Sequence, residues 1–132
     1  MEKTFNYTSV LFAFIGGTII KALGGADKFL FVLLLFVIID YITGIIKAIY
    51  LKKLSSEISF KGIIKKVFIF VVICIAVALE YLTQIPLREV TICFYIANEG
   101  ISLMENISEF LPIPQKIKDI LLQLRKDKKE QD

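Results

Sequence analysis

Hydrophobic residues occur in four long runs along the chain, separated by short polar segments. The runs cover residues 5–23, 29–50, 67–85 and 87–107. At about 1.5 Å per residue, a helix over each run is roughly as long as a bilayer core is thick. The pattern predicts an all-α membrane protein with about four transmembrane helices, and residues 1–132 form a single domain.

The last part of the chain, residues 112–132, has a different pattern. Apolar residues recur there at helical spacing, at Ile113, Ile117, Ile120, Leu121 and Leu124. Charged residues lie off this stripe, and a Pro-x-Pro at 112–114 separates it from the fourth run. We expect an amphipathic helix that lies on a membrane face or packs against a partner helix, followed by a charged end.

The fourth run differs from the others because polar residues recur along one of its faces. On a helix they fall within an arc of roughly 120°. This polar arc consists of Thr91, Tyr95, Asn98, Glu99, Ser102, Glu105 and Asn106. Polar side chains that face lipid have no hydrogen-bond partners, so we expect the arc to line water or to contact another subunit. Alternatively, this run lies in the membrane interface and the chain has three spans.

Two further acidic residues, Asp40 and Glu80, fall in the second and third runs. A charged side chain inside a membrane is costly, so a functional role is the first hypothesis for each. The alternatives are that each acid simply hydrogen-bonds or pairs within a helix bundle, Asp40 with Thr43 or Lys47, and that Glu80 lies among the outer headgroups. Small residues at helix-packing spacing also occur in the second run: Gly44 and Ala48.

Basic residues cluster between the second and third runs and in the tail. They are Lys52, Lys53, Lys61, Lys65 and Lys66, and then Lys116, Lys118 and Arg125. We expect them at the surface of an anionic lipid bilayer, and the positive-inside rule places both clusters in the cytoplasm. An even number of crossings must then separate them, and if the first and second runs both cross, both termini lie in the cytoplasm. The competing interpretation of the first run is a cleaved signal peptide.

Composition narrows the classes of function. The chain is 56% hydrophobic and contains no His and two Cys. Cys74 and Cys93 lie inside apolar runs, which indicates free thiols rather than a disulfide framework. We find no nucleophile–base pair, no cluster of metal ligands and no phosphate-binding loop. The sequence therefore predicts a protein that is not an enzyme, has no cofactor and binds no nucleic acid.

Three stretches of the chain resemble one known family. They are DYITGIIKA (40–48), LSSEISFKGIIKK (54–66) and FYIANEGISLMENI (94–107), the last followed by PIP (112–114). They are similar to the phage-lysis and toxin-secretion holins of clostridia and other Gram-positive bacteria and their phages. The resemblance implies a homo-oligomer of the bacterial cytoplasmic membrane. Such proteins accumulate and then permeabilise that membrane, which releases an endolysin or a large toxin without binding it specifically.

Two other classes of protein compete with this hypothesis. One is a small four-helix multidrug or ion transporter that works as a dimer, with an acidic residue as its cation site. The first run contains no acid and the tail is basic and amphipathic, which disfavours that class. The other is a membrane anchor or scaffold, which would leave the membrane sealed. A holin needs a polar face that is hidden in sparse subunits and exposed to water on assembly, and the polar arc provides one.

Overall fold

Five α-helices are present in residues 6–126, the part of the chain that the computed structural model describes. They are α1 (Tyr7–Ala22), α2 (Lys28–Tyr50), α3 (Ser56–Thr83), α4 (Leu87–Ser108) and α5 (Gln115–Lys126). No strand occurs in these residues, so the all-α prediction is confirmed there. The predicted charged end after residue 126 and the side chain of Arg125 lie outside the described residues.

Among the described helices, α2 and α3 are long and apolar enough to cross a membrane. α1 is also apolar, but it is shorter, with 16 residues. Four membrane crossings therefore remain a prediction.

The helix boundaries follow from side chains that cap the first turns. Asp27 Oδ1 accepts a hydrogen bond from the backbone N–H of Leu30 at 3.0 Å, and Ser55 Oγ accepts one from that of Ile58 at 3.1 Å. Such caps satisfy N–H groups that have no partner inside the helix. The Ser55 cap explains why α3 begins at Ser56 and not at residue 67, where the hydrophobic run begins. Hydropathy marks the part of a helix that suits lipid, and the helix itself extends further.

α4 is the central helix of the bundle. It packs against α2, α3 and α5, whereas α2 and α3 touch each other only sparsely. Among residues whose burial is described, the largest fully buried side chains come one from each of three helices: Leu33 of α2, Ile73 of α3 and Ile92 of α4. α1 has no buried residue and no comparable contact with the other described helices. A side chain on α4 can therefore reach groups on both α2 and α3.

α5 folds back along α4. Ile113, just before α5, lines a crevice together with Met104 near the end of α4. Leu124, near the other end of α5, lines a crevice together with Cys93 near the start of α4. The two helices are therefore antiparallel. The sequence left two positions open for the tail helix, on a membrane face or against a partner helix. In the structure it packs against a helix, and this partner is α4 of the same chain.

Candidate functional site

Three charged residues from three helices meet in the interior of the bundle. The ammonium of Lys66 on α3 donates hydrogen bonds to the carboxylates of Asp40 on α2 and Glu99 on α4. Asp40 is 6% exposed and Glu99 is 8% exposed. We call these three residues the charge cluster. Sequence analysis placed Lys66 among the surface lysines, and that assignment is wrong because its side chain lies between two buried acids.

An amide group completes the surroundings of Asp40. The Asn106 Nδ2 atom on α4 donates to Asp40 Oδ1 at 3.1 Å and to Thr43 Oγ1 at 3.3 Å. The Thr43 hydroxyl itself donates to backbone carbonyls of α2 and not to the Asp40 carboxylate. Asp40 thus pairs within the helix bundle, as the alternative proposed, but its carboxylate contacts neither Thr43 nor Lys47. The partners of its carboxylate come from α3 and α4.

The charge cluster lies far from the ends of its helices. Asp40 follows the first residue of α2 by twelve positions, and Glu99 follows the first residue of α4 by twelve positions. At 1.5 Å per residue both acids are about 18 Å from those helix starts, compared with a bilayer core of about 30 Å. Two carboxylates and one ammonium carry a formal charge of −1. Removing one member of such a buried set leaves a charge without a partner, which is strongly destabilising.

A groove between α2, α3 and α4 leads to the charge cluster. It has a volume of about 240 Å³; Asp40, Lys66 and Asn106 line it at one end, and Ala48 and Leu54 line it at the other. Gly44 forms part of the wall, and a Cβ added there would lie 3.5 Å from Asn106 Nδ2. The two predicted helix-packing residues therefore line this groove. The groove is large enough for water, and polar groups of Asp40, Lys66 and Asn106 line it, so it offers water a route to the cluster.

At the opposite end of the bundle, Arg88 connects α4 to the segment between α1 and α2, and it is 8% exposed. Its Nε donates to the carbonyl of Leu23 at 2.6 Å, and its Nη1 donates to Asp27 Oδ2 at 2.7 Å. The Arg88 guanidinium beside Asp27 holds the pKa of that carboxyl below its ordinary value. Gly24 has φ +83°, and a Cβ added there would lie 2.4 Å from Arg88 Nε. Sequence analysis missed Arg88; the signal was a charged residue next to the Pro86-Leu87 helix start.

Glu80 belongs to the same end of the bundle. Its Oε2 atom accepts a hydrogen bond of 2.8 Å from the backbone N–H of Arg88. Pro86, the residue before α4, has no side chain that can cap the helix, and Glu80 supplies a cap from α3. The structure thus places this acid at a helix junction, separate from the other two acids.

The structure divides the polar arc into two parts. Glu99 and Asn106 point into the bundle toward α2 and α3, and Tyr95 packs against the apolar core. The remaining members share a face of about 60° beside them. We call Thr91, Asn98, Ser102 and Glu105 the outer strip. Within residues 6–126, no side-chain hydrogen bond to another helix is found for the outer strip, and its members are half-buried or exposed.

The other predicted basic residues are exposed on the molecule. They are Lys52, Lys53, Lys61, Lys65, Lys116 and Lys118. Lys65 and Lys66 are neighbours in sequence, yet one is exposed and the other lies in the charge cluster. Consecutive helical residues point about 100° apart, which accounts for the difference. Both predicted free thiols, Cys74 and Cys93, are free and half-buried.

Comparison with known proteins finds related chains. A family model described as the bacteriophage holin family matches residues 17–126. A 14.9 kDa protein in the nagH 3′ region of Clostridium perfringens is 39% identical over 132 residues, which cover 97% of this chain and 100% of that protein. A protein of Bacillus phage phi105 with the name "Probable holin" is 38% identical over 106 residues, 78% of either chain. The Lmo0128 protein of Listeria monocytogenes is 37% identical over 102 residues, 75% of this chain and 73% of that protein. No solved structure matches the chain.

Proposed function

The chain belongs to the bacteriophage holin family, and on that premise we propose that it assembles in the bacterial cytoplasmic membrane into lesions that let large proteins pass. The released cargo is an endolysin or a large toxin, and it passes without being bound specifically. Membership in this family implies a membrane protein with a non-enzymatic role. The relative from Bacillus phage phi105 favours the phage-lysis form of this activity.

The observation that carries the proposal is the position of the charge cluster. In a single copy, Glu99 and Asn106 are satisfied by Lys66 and Asp40 of the same chain. The polar groups that could face water in a lesion are therefore held inside one protomer. Because α3 contacts α2 only sparsely, moving Lys66 away from the two acids would open the groove between these helices. The charge cluster then acts as the latch of the closed state.

The outer strip supports assembly from several copies. Asn98 and Ser102 are half-buried and lack a side-chain partner within residues 6–126. In contact with lipid, such groups would be unsatisfied, which costs free energy for each of them. A second copy can supply the missing partners, and several such hydrogen bonds are needed because one is worth only about 1 kcal/mol in a membrane. We therefore assign the outer strip to contacts between subunits in the resting membrane.

The proposed topology has four crossings, with α1 to α4 spanning the membrane and with the N-terminus, the connection between α2 and α3 and residues 109–114 on the cytoplasmic side. Docked α5 runs from that side back along α4 toward the starts of α2 and α4. Lys52 and Lys53 between α2 and α3, and Lys61 and Lys65 in the first turns of α3, are exposed and support a cytoplasmic position for that connection. α4 is then the most polar span, and packing against α2, α3 and α5 covers much of its surface. Anionic headgroups on the cytoplasmic side are the expected partners of the lysines.

Controlled expression in bacteria tests the function. The chain is produced with and without a muralytic enzyme that stays in the cytoplasm, and culture turbidity is followed. We expect lysis only when both proteins are present, because the membrane lesion gives the enzyme access to the cell wall. Cells that keep the enzyme inside and exclude an impermeant dye at a high membrane level of the protein would contradict the proposal. That result would favour a transporter or a membrane anchor.

A further inference from the structure

Leu121 of α5 packs into the surface of α4. Leu121 is 7% exposed and packs against Gly100, which is also buried. A Cβ added at Gly100 would lie 2.8 Å from Leu121 Cδ2 and 3.0 Å from Phe36 Cε2 of α2. Leu121 therefore fits into a space that exists because residue 100 has no side chain. We call this space the Gly100 notch.

Most of the apolar stripe of α5 stays exposed, although the helix packs along α4. Ile117, Ile120 and Leu124 of its apolar stripe are 49%, 52% and 38% exposed. Crevices of about 210 Å³ and 290 Å³ lie along α5, one toward the end of α4 and one toward its start. Most of the stripe predicted from sequence is thus left uncovered by the chain itself. Of the residues of this stripe, Leu121 alone is buried, so its notch encloses the best-covered apolar contact of α5.

The connection between α4 and α5 can act as a hinge. It consists of residues 109–114, nearly all of them exposed. Pro112 and Pro114 lack backbone donors and cannot continue the α4 helix. Within the described residues, the backbone hydrogen bonds of this connection run from Phe110 and Leu111 to Ile107, in the last turn of α4, and from Ile117, in the first turn of α5, to Pro114. Few contacts therefore fix the direction in which α5 leaves α4.

We propose that α5 exchanges between copies, so that Leu121 of one copy enters the Gly100 notch of a neighbour. The exchange preserves the contact made within one chain, because the leucine and the notch are the same in both arrangements. Within one chain the short connection holds α5 close to its own notch, and the exchanged arrangement loses only this advantage. The fraction of exchanged helices should therefore rise with the density of copies in the membrane. Each copy then donates one helix and receives another, which links protomers into a series. This inference rests on the proposed function, since only an accumulating protein reaches such density.

Cross-chain disulfide formation tests the exchange. Two chains with different tags, both lacking Cys74 and Cys93, are expressed together, one with Gly100→Cys and the other with Leu121→Cys. Oxidation should produce a disulfide between the two tags. At low occupancy its fraction should rise about twofold for each doubling of the membrane level, as mass action requires. A single chain carrying both cysteines should form the bond internally and shows that the two positions meet.

The matched control replaces Leu121→Cys by Ile117→Cys, on a face of α5 that is exposed. A cross-chain yield no higher than this control, in cells that lyse with the muralytic enzyme, would overturn the exchange and leave the proposed function intact. Absence of lysis would instead count against the proposed function. A second pair of cysteines leaves the notch unchanged. One chain keeps the native Cys93 and the other carries Leu124→Cys, and a short bismaleimide joins the two thiols across the crevice that both residues line. The same dependence on membrane level is expected from this pair.

Discussion

Replacing Lys66 by methionine should release the latch of the closed protomer. The change keeps an unbranched side chain of similar length and removes the ammonium that pairs with Asp40 and Glu99. The formal charge of the cluster falls from −1 to −2, with both acids still buried. Loss of one partner from a buried ion pair costs about 3–5 kcal/mol. In the proposed lesion both acids would face water, so this penalty would apply only to the proposed closed state.

The expected magnitude follows from that difference. A shift of about 3–5 kcal/mol changes the ratio of open to closed protomers by roughly a hundredfold or more. Lysis should therefore begin earlier, and at a lower membrane level, than with the wild-type chain. Glu99→Gln should have a smaller effect, because it brings the formal charge to zero and leaves the Lys66–Asp40 pair in place. We expect it to alter the timing of lysis without preventing insertion.

Turbidity curves and membrane levels measured together provide the assay. Lys65→Met is the matched control, since it removes the same charge from the neighbouring, exposed lysine. A triple variant that combines Lys66→Met with Asp40→Asn and Glu99→Gln removes every charge of the cluster, so it should restore late onset. Equal onset for Lys66→Met and Lys65→Met at equal membrane levels would refute the latch. Early onset that persists in the triple variant would show that charge is not the cause.

Four other predictions concern the remaining features. Arg88→Ala should lower the free energy of unfolding of the detergent-solubilised protein by about 2–4 kcal/mol, because it leaves Asp27 and backbone carbonyls unpaired. The melting temperature should fall, and an unchanged value would contradict this prediction. Since the folded pKa of Asp27 is lowered, its contribution to stability is present above about pH 4 and is lost as the pH falls through the folded value. Asp27→Asn should abolish that acid dependence. In a cysteine-free background, an impermeant thiol reagent should label Gly25→Cys but not Ser55→Cys in intact cells, and the reverse pattern would rule out the proposed topology. Asn98→Cys should react with a water-soluble thiol reagent more strongly after lysis begins than before, and equal labelling would exclude a change in its exposure.

Hydrophobic patterning alone predicted an all-α chain and the face of α4 that carries polar groups. It did not predict how that face divides, because the division depends on where α2 and α3 cross α4. Lys66 was misassigned for a related reason: it stands beside Lys65, and hydropathy averages over residues that point in different directions. Only the packing of three helices distinguishes an inward lysine from an outward one.

The contacts at the other end of the bundle could not be predicted from the sequence for a second reason. Arg88 and Asp27 are 61 positions apart in the chain, and nothing local to either residue indicates the other. Hydropathy also misplaced the start of α3, since the Ser55 cap and the following turns form a helix without being suited to lipid. Local signals therefore predicted the elements, and contacts between distant positions determined the candidate site.

The isolation of α1 has a consequence for how this chain tolerates mutation. None of the α1 residues is buried, and an added Cβ at Gly16 or Gly17 would meet no atom within 4 Å. Within one copy, exchanging one apolar residue of α1 for another opens no cavity and creates no clash. In α2 to α4, the same exchange at Leu33 or Ile92 changes a filled interior. Saturation mutagenesis of a single copy should thus find α1 permissive to any apolar side chain, and the three-helix core restrictive.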